Sequence, residues 1–329
     1  MVDDQSRLDR AELTPVLFDW RSWKMMKILI GHDGSTGADA ALVDLQRAGL
    51  PDEAEALIVS VADVMVVPAT PGYELAAEAL MSRRVTAGLL HAQRQTERVI
   101  NEAKDFASRA RDQVRSYFPH WMVRAETLAG PAASELISKA NDWKPDLIVV
   151  GSHGRSAVSR FILGSVSKKV VTDSDHSVRV SRRDIERDVS KPPRLVVGVD
   201  GSTEAEQAVR VVGSRVWPHG AEVRIIAVDN GGSSTDTSPN VHLPLAAGQM
   251  VAWAENALGV IGLKVSALTE NGDPSRVLID QAKAWDADSI FVGGRRFSGA
   301  LERFQLGSVA TALVAKAHCS VEVARNLGN

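Results

Sequence analysis

The sequence predicts an α/β protein made of two doubly wound, five-stranded parallel-sheet domains in tandem. Three observations predict this fold. The chain has 329 residues, which is long for a single hydrophobic core. Four segments recur later in the chain in the same order. The apolar runs that resemble strands are short and continuous rather than alternating, as in strands that are buried on both faces.

The internal repeat defines two copies of one unit. The segment IGHDGST at 30–36 returns as VGVDGST at 197–203, with five of seven positions identical. The other matched pairs are DLIVVGSHG at 146–154 with DSIFVGGRR at 288–296, FILGSVSKKVV at 161–171 with FQLGSVATALV at 304–314, and HSVRVSRR at 176–183 with CSVEVARN at 319–326. The predicted organisation is an N-terminal extension at 1–24, a first domain at 25–183, a charged linker with two prolines at 184–194, and a second domain at 195–326.

Within each copy, strands and helices alternate in the order of a doubly wound sheet. The first strands, KILIG at 27–31 and LVVGV at 195–199, are each followed by small and apolar residues at helical spacing. Further strands are predicted at 56–62, 123–128, 146–151 and 177–181 in the first copy, and at 223–229, 265–269, 289–293 and 321–325 in the second. Asp273 and Pro274 are suited to the N-cap and the first position of the helix that precedes the strand at 289–293.

The two copies differ in length. The first copy is longer by about 25 residues between the acidic turn and the fourth strand, and the extra residues fall within 64–90. This segment is interpreted either as a longer surface helix or as a lid or dimer contact. Periodicity does not separate these interpretations.

Composition excludes several classes of protein. The net charge of −3 and the pI near 6.3 give no reason to expect nucleic acid or an anionic membrane as a partner. The single cysteine, Cys319, excludes a disulfide framework and a cysteine-rich zinc site, and its place before a terminal strand predicts a small packing residue. A chain with one cysteine suits a reducing compartment, so a cytoplasmic location is expected, and the N-terminal residues lack the apolar core of a signal peptide.

Common catalytic signatures are missing from the sequence. The chain has no P-loop, no G-x-G-x-x-G after the first strand, no G-x-S-x-G elbow and no H-E-x-x-H. Six of the eight histidines are predicted to lie at the surface or at helix ends: His91, His120, His176, His219, His242 and His318. No residue is assigned a catalytic role.

One glycine pattern remains, G-x2-G-x9-G-S, formed by Gly151, Gly154, Gly164 and Ser165. Glycines after a buried strand let the backbone approach a ligand or a neighbouring helix, and the spacing alone leaves both open. Gly164 and Ser165 begin a helix, whose free amides and positive dipole end suit a phosphate. Asp33 follows the first strand and would reach the same crevice, where it can accept hydrogen bonds from a ribose or a base.

These motifs, ILIGHDGS and GSHGRSAVSRFILGSVSKKV with their repeats, resemble those of the universal stress protein family. The resemblance covers about 26–183 and 192–326. It implies an adenine nucleotide alpha hydrolase-like fold that binds ATP, with Mg²⁺ or Mn²⁺ on the phosphates and no metal ligand from protein side chains. The residues that it assigns to ATP in the first copy are Asp33, Val61, Gly151, His153, Gly154, Gly164, Ser165, Val166 and Ser167. It also implies antiparallel pairing of terminal strands, here within the chain as a pseudo-dimer, and leaves a homodimer open.

The second copy departs from the family pattern. Counting back from Gly307 places Phe297 where the first copy has Gly154, whereas aligning the strands matches Gly293 to Gly151 and requires a shift of one residue. Both alignments lose the middle glycine, and Ser167 becomes Ala310. Two alternatives therefore stand: a scaffold that docks on the first copy, or a second ATP site with Asp200, Val228, Gly293, Gly294, Arg295, Gly307 and Ser308.

Three functions are compatible with this pattern. The first is an ATP-binding stress-response protein in which the nucleotide acts as a regulatory ligand. The second is a slow ATPase on the same site, which would need a positioned base or metal carboxylates. The third is an interaction scaffold without nucleotide, and the intact glycine motif of the first copy argues against it.

Overall fold

The computed structural model describes residues 25–64, 83–154, 163–182, 190–229, 247–294 and 306–325. The predicted extension at 1–24, most of the linker and Arg295 lie outside these residues. The first copy contains β1 Met26–Gly31, α1 Thr36–Asp44, β2 Ala54–Ala62, α2 Arg83–Tyr117, β3 Met122–Ala129, α3 Ala132–Trp143, β4 Leu147–Gly151, α4 Ser165–Asp173 and β5 Ser177–Ser181. The second contains β6 Arg194–Val199, α5 Thr203–Gly213, β7 Glu222–Asp229, α6 Ala247–Val260, β8 Lys264–Asn271, α7 Pro274–Ala284, β9 Ser289–Gly293, α8 Ser308–Lys316 and β10 Ser320–Ala324.

The strands form one continuous ten-stranded sheet in the order β3-β2-β1-β4-β5-β10-β9-β6-β7-β8. Within each copy all neighbours are parallel, which confirms the predicted doubly wound α/β fold. The chain moves outward from β1 to β2 and β3, and then returns to β4 on the other side of β1. The strand order therefore reverses between β1 and β4, where doubly wound proteins bind their ligands.

The two five-stranded sheets join through their terminal strands. β5 and β10 pair antiparallel, with Val178 opposite Val323, Arg179 opposite Glu322 and Val180 opposite Val321. This pairing confirms the predicted pseudo-dimer within one chain. Because the terminal strands pair with each other, neither presents the exposed edge that invites pairing with another molecule.

The two faces of the joined sheet have different cores. On one face a single apolar cluster continues through both copies and includes Val178, Val180, Val321 and Val323. On the other face each copy has its own cluster, one beneath α1 and α2 and one beneath α5 and α6. Side chains alternate along a strand, so the residues between these valines face the gap between the two separate clusters.

Charged side chains fill that gap. Arg179 is fully buried and binds both carboxylate oxygens of Asp44, at 2.7 and 3.1 Å, and Glu322 at 3.3 Å. Glu322 is also fully buried and accepts a hydrogen bond from Arg215. Burial opposes the charged form of Arg179, but the two carboxylates outweigh it and raise the pKa of its guanidinium. We call Asp44, Arg179, Arg215 and Glu322 the charged seam.

The longer first copy owes its length partly to α2. This helix has 35 residues, whereas its counterpart α6 has 14. Residues 83–90 are helical, as the first interpretation expects, while 65–82 lie outside the described residues, and a role as a lid or dimer contact stays a prediction. None of the helices that the structure describes combines the length and apolar character needed to cross a membrane.

Candidate functional site

The predicted site residues of the first copy lie at one edge of the sheet, around the point where strand order reverses. Asp33 follows β1, Val61 lies near the end of β2, and Gly151 ends β4. His153 and Gly154 follow β4, and Gly164 is the N-cap of α4, whose first turn contains Ser165, Val166 and Ser167. The fold thus brings together segments that are far apart in sequence. Contact of these residues with a nucleotide stays a prediction.

Asp33 uses its two carboxylate oxygens differently. Oδ1 accepts a hydrogen bond from the backbone N–H of Ser35 at 3.0 Å, which shapes the turn before α1. Ser35 in turn caps α1, because its hydroxyl accepts from the backbone N–H of Ala38 at 3.1 Å. Oδ2 lies on the side of Gly154, since a Cβ added to that glycine would stand 2.9 Å from it. One oxygen of Asp33 therefore holds the turn, and the other faces the glycine loop.

Gly151 packs against a neighbouring helix. A Cβ at this position would lie 2.6 Å from the carbonyl oxygen of Gly37 in α1. Gly37 itself would clash with the carbonyl oxygen of His153, at 2.4 Å, if it carried a Cβ. The hydroxyl of Ser35 also donates to that His153 oxygen, at 3.2 Å. Of the two roles that the sequence left open, helix packing is a sufficient reason for Gly151.

Gly154 and Gly164 have a different environment. Chain neighbours apart, the only described atom within 4 Å of a Cβ at Gly154 is Asp33 Oδ2, and no described atom lies nearer than 3.5 Å to a Cβ at Gly164. The backbone N–H of Gly164 donates to the carbonyl oxygen of Ser152 at 2.8 Å, which joins the start of α4 to the end of β4. Helix packing among the described residues does not account for these two glycines.

Among the residues that the structure describes, no side chain caps the N-terminus of α4. Gly164 is its N-cap, and the backbone N–H of Lys168 makes the first bond back to it, at 2.9 Å. The amides of Ser165, Val166 and Ser167 precede that bond, so the helix itself offers them no acceptor. By contrast, α1, α5 and α7 are capped by the side chains of Ser35, Ser202 and Asp273, whereas α3 and α8 have no such bond from their N-cap residues. An anion at the start of α4 would supply the acceptors that a capping side chain supplies elsewhere.

Two predicted polar residues make bonds within the loop. The hydroxyl of Ser167 is buried and donates to the carbonyl oxygen of Gly151 at 2.6 Å, so it braces α4 against β4. Nδ1 of His153 lies 2.8 Å from the hydroxyl of Ser152.

His176, which was predicted at the surface or a helix end, is buried. Its Nδ1–H donates a hydrogen bond to the carbonyl oxygen of Pro145 at 2.8 Å, which satisfies the buried ring nitrogen. Cys319 is buried in the shared core, as predicted for a packing residue.

The second copy repeats part of this geometry. Gly293 meets the backbone of Glu204 in α5, as Gly151 meets that of Gly37, and a Cβ there would lie 2.3 Å from the Glu204 oxygen. Gly294 donates its backbone N–H to Ala324 as Ser152 donates to Ser181, so alignment on the strands is the correct one. Asp200 accepts from the N–H of Ser202, Val228 lies in β7, and Gly307 and Ser308 begin α8.

His32 belongs to the same turn but was not predicted from the pattern. It is buried, and its Nδ1 accepts from the backbone N–H of Gly34 at 3.3 Å, so Nε2 carries the proton towards Asp39 at 3.1 Å. Burial lowers the pKa of His32 despite the nearby carboxylates. The repeat could have predicted that His32 is buried. Its counterpart in the second copy is the apolar residue Val199, which indicates a buried position.

The His32 turn is expected to make stability depend on pH. Because the folded-state pKa lies below the ordinary value, the unfolded chain gains a proton first as the pH falls, and folding weakens below about pH 6.5. Replacing His32 with valine should reduce this loss, as measured by urea unfolding between pH 7.5 and 5. His120→Gln, at an exposed position, is the control and should keep the wild-type slope. Equal slopes for all three proteins would contradict the role of His32.

The structure is a tandem protein of the parallel-sheet class, with two doubly wound α/β copies joined through their terminal strands. In the first copy, an acidic turn and the start of a Gly-Ser helix lie together where the strands end, and they form a candidate anion site. The model of the Universal stress protein family matches residues 25–182 and 193–325. The chain therefore belongs to the universal stress protein family.

Individual relatives agree with this membership. A universal stress protein of Mycobacterium tuberculosis H37Rv is 29% identical over 212 residues, which cover 62% of this chain and 69% of the relative. One from Mycolicibacterium smegmatis is 25% identical over 313 residues and covers 91% of this chain and 96% of its own length. The crystal structure of a universal stress protein from Archaeoglobus fulgidus DSM 4304 has a TM-score of 0.60 at 20% identity, covers 91% of this chain and 98% of that chain, and shows the fold.

Proposed function

We propose that the first copy binds ATP as a regulatory ligand, and that the second copy serves as its structural partner. The observation that carries the proposal is the juxtaposition of three features: the start of α4, which no described side chain caps, Gly154, and the oxygen Oδ2 of Asp33 beside that glycine. The helix start is suited to phosphates, and a carboxylate oxygen is suited to the hydroxyls of a ribose. Both features face one loop, as a nucleotide that extends from ribose to phosphates requires.

The adenine ring and the metal ion of a bound ATP can also be accommodated in this proposal. β1 ends opposite Val59, so Val61 extends the sheet edge beyond β1 and offers a half-buried apolar surface for an adenine. Within the described residues no group of three or more His, Cys, Asp or Glu side chains could hold a metal. In this proposal the phosphates would be the main ligands of a Mg²⁺ or Mn²⁺ ion, as is usual for Mg²⁺ bound together with a nucleotide.

The geometry favours a ligand over a substrate. Hydrolysis needs a base that positions water, or carboxylates that hold a metal against the phosphates. One carboxylate oxygen of Asp33 accepts a hydrogen bond from the N–H of Ser35, and Nδ1 of His153 is hydrogen-bonded to the hydroxyl of Ser152. ATP hydrolysis is therefore not part of the proposal, but the experiment below would detect it.

Replacement of Asp33 is expected to show which of the two copies binds ATP. The protein purified without added nucleotide should release about one ATP per chain on denaturation, read by chromatography, and calorimetry should give one site. Asp33→Ala should lower ATP affinity about tenfold or more, because it removes the acceptor beside Gly154. Asp200→Ala is the matched control, since it removes the same turn bond from the second copy, to the N–H of Ser202.

The outcomes distinguish the alternatives. If no nucleotide is released and calorimetry shows no heat on adding ATP, the proposal is overturned, and the interaction scaffold without nucleotide is the remaining function. Two ATP molecules per chain, with Asp200→Ala as harmful as Asp33→Ala, would assign a site to the second copy as well. Steady release of ADP, lost in His153→Ala while ATP still binds, would establish an ATPase.

A further inference from the structure

Two arginines make reciprocal contacts across the junction between the copies. Arg182 follows β5 and Arg325 follows β10, at equivalent positions of the repeat. The guanidinium of Arg182 donates to the carbonyl oxygen of Val314 in α8, a helix of the second copy. The guanidinium of Arg325 donates to the carbonyl oxygen of Val171 in α4, a helix of the first copy. Each copy thus holds the carboxyl-terminal turn of the other copy's Gly-Ser helix.

Arg325 is firmly held. Its side chain is buried, and a second guanidinium nitrogen donates to the carbonyl oxygen of His176 at 3.1 Å, just beyond α4. Its backbone N–H donates to the hydroxyl of Ser177 at 3.0 Å. It also packs over Gly294, where an added Cβ would lie 3.0 Å from its Cγ and 3.1 Å from its Nε. The side chain therefore lies between the glycine loop of the second copy and the end of α4.

We infer that Arg325 is a positioning residue for the phosphate end of α4, and this inference rests on the proposed function. α4 has nine residues and is about 13 Å long, so it moves as one rigid unit. Its amino-terminal turn is placed by the bonds of Gly164 and Ser167 to the end of β4. Its carboxyl-terminal turn is placed by Arg325 through charge-assisted hydrogen bonds. Removing these bonds would let the helix tilt and would shift the amides that face the phosphates.

The positive charge of Arg325 also favours the placement of α4. A cation beside the last turn of a helix complements the negative end of its dipole and stabilises the helix whose other end binds an anion. The second copy therefore contributes to nucleotide affinity in the first without touching the nucleotide. This role distinguishes it from a passive scaffold, because its own residue completes the support of the binding helix.

The experiment compares Arg325→Gln with its mirror variant Arg182→Gln in the full-length chain. ATP affinity is measured by calorimetry, and the exchange of backbone amides by mass spectrometry. We expect Arg325→Gln to weaken ATP binding about tenfold and to speed exchange in α4. Arg182→Gln should leave ATP affinity within about twofold of wild type and should speed exchange in α8. Arg325→Lys, which keeps the charge and a donor, should recover part of the affinity.

The possible results either support or overturn the inference. Equal loss of ATP affinity in the two glutamine variants would mean that general destabilisation, rather than the placement of α4, is responsible. Unchanged ATP affinity and unchanged exchange in α4 of Arg325→Gln would overturn the inference directly. If the wild-type chain fails to bind ATP, the proposed function fails. The exchange of α4 in the two variants then still tells whether Arg325 positions that helix.

Discussion

Replacing Gly154 with alanine is expected to weaken ATP binding about tenfold while leaving the stability of the fold within about 0.5 kcal/mol of wild type. Among the described residues outside its chain neighbours, the added Cβ would meet only Oδ2 of Asp33, at 2.9 Å, so the carboxylate must move and the described backbone need not. Gly154→Phe fills more of the same space and should weaken binding on the order of a hundredfold or more. Calorimetry for ATP and urea unfolding for stability measure the two effects separately.

Gly151→Ala is the matched comparison, three residues earlier in the same loop. Its Cβ would lie 2.6 Å from the backbone oxygen of Gly37, which cannot move without shifting α1. We expect this variant to lose about 1–3 kcal/mol of unfolding free energy, a typical cost of overpacking. If Gly154→Ala destabilises the fold as much as Gly151→Ala and ATP affinity is unchanged, the assignment of Gly154 to the ligand is wrong.

Replacing Glu322 with alanine should cause the largest loss of stability among the predicted variants, about 3–5 kcal/mol in urea unfolding. Glu322 is fully buried between Arg179 and Arg215. Its removal leaves Arg215 without that carboxylate, and burial already lowers the pKa of Arg215. The variant would therefore leave the buried guanidinium of Arg215 without its ion-pair partner at the junction of the two copies, while Arg179 keeps Asp44.

The control for the charged seam is Glu206→Ala. Glu206 pairs with Arg210 one helical turn away, but both side chains are about one-third exposed, at 32% and 38%. Such pairs contribute little, so the control should change stability by no more than about 1 kcal/mol. Similar losses in the two variants would show that the seam does not stabilise the junction.

Much of the fold follows from local patterns. The strands, the alternation with helices and the cap formed by Asp273 and Pro274 agree with the structure, because each depends on residues close together in the chain. It could also be predicted that the candidate site residues lie at one edge of the sheet, since parallel strands end at one edge. The role of each glycine could not, because Gly151 and Gly154 differ only in what lies opposite them: the backbone of Gly37 and the side chain of Asp33.

The sequence by itself determined that this protein is a tandem repeat of an α/β unit, and that only the first copy keeps the full glycine pattern. Only the tertiary structure decided the register in which the two terminal strands pair, and which alignment relates the loops of the two copies. Arg179 and Glu322 occupy equivalent positions of the repeat and lie directly opposite each other in the seam. Pairing the two unlike copies places opposite charges together, whereas two first copies would place two arginines together. A repeat reveals the equivalent positions, but their partners depend on contacts between residues more than a hundred positions apart.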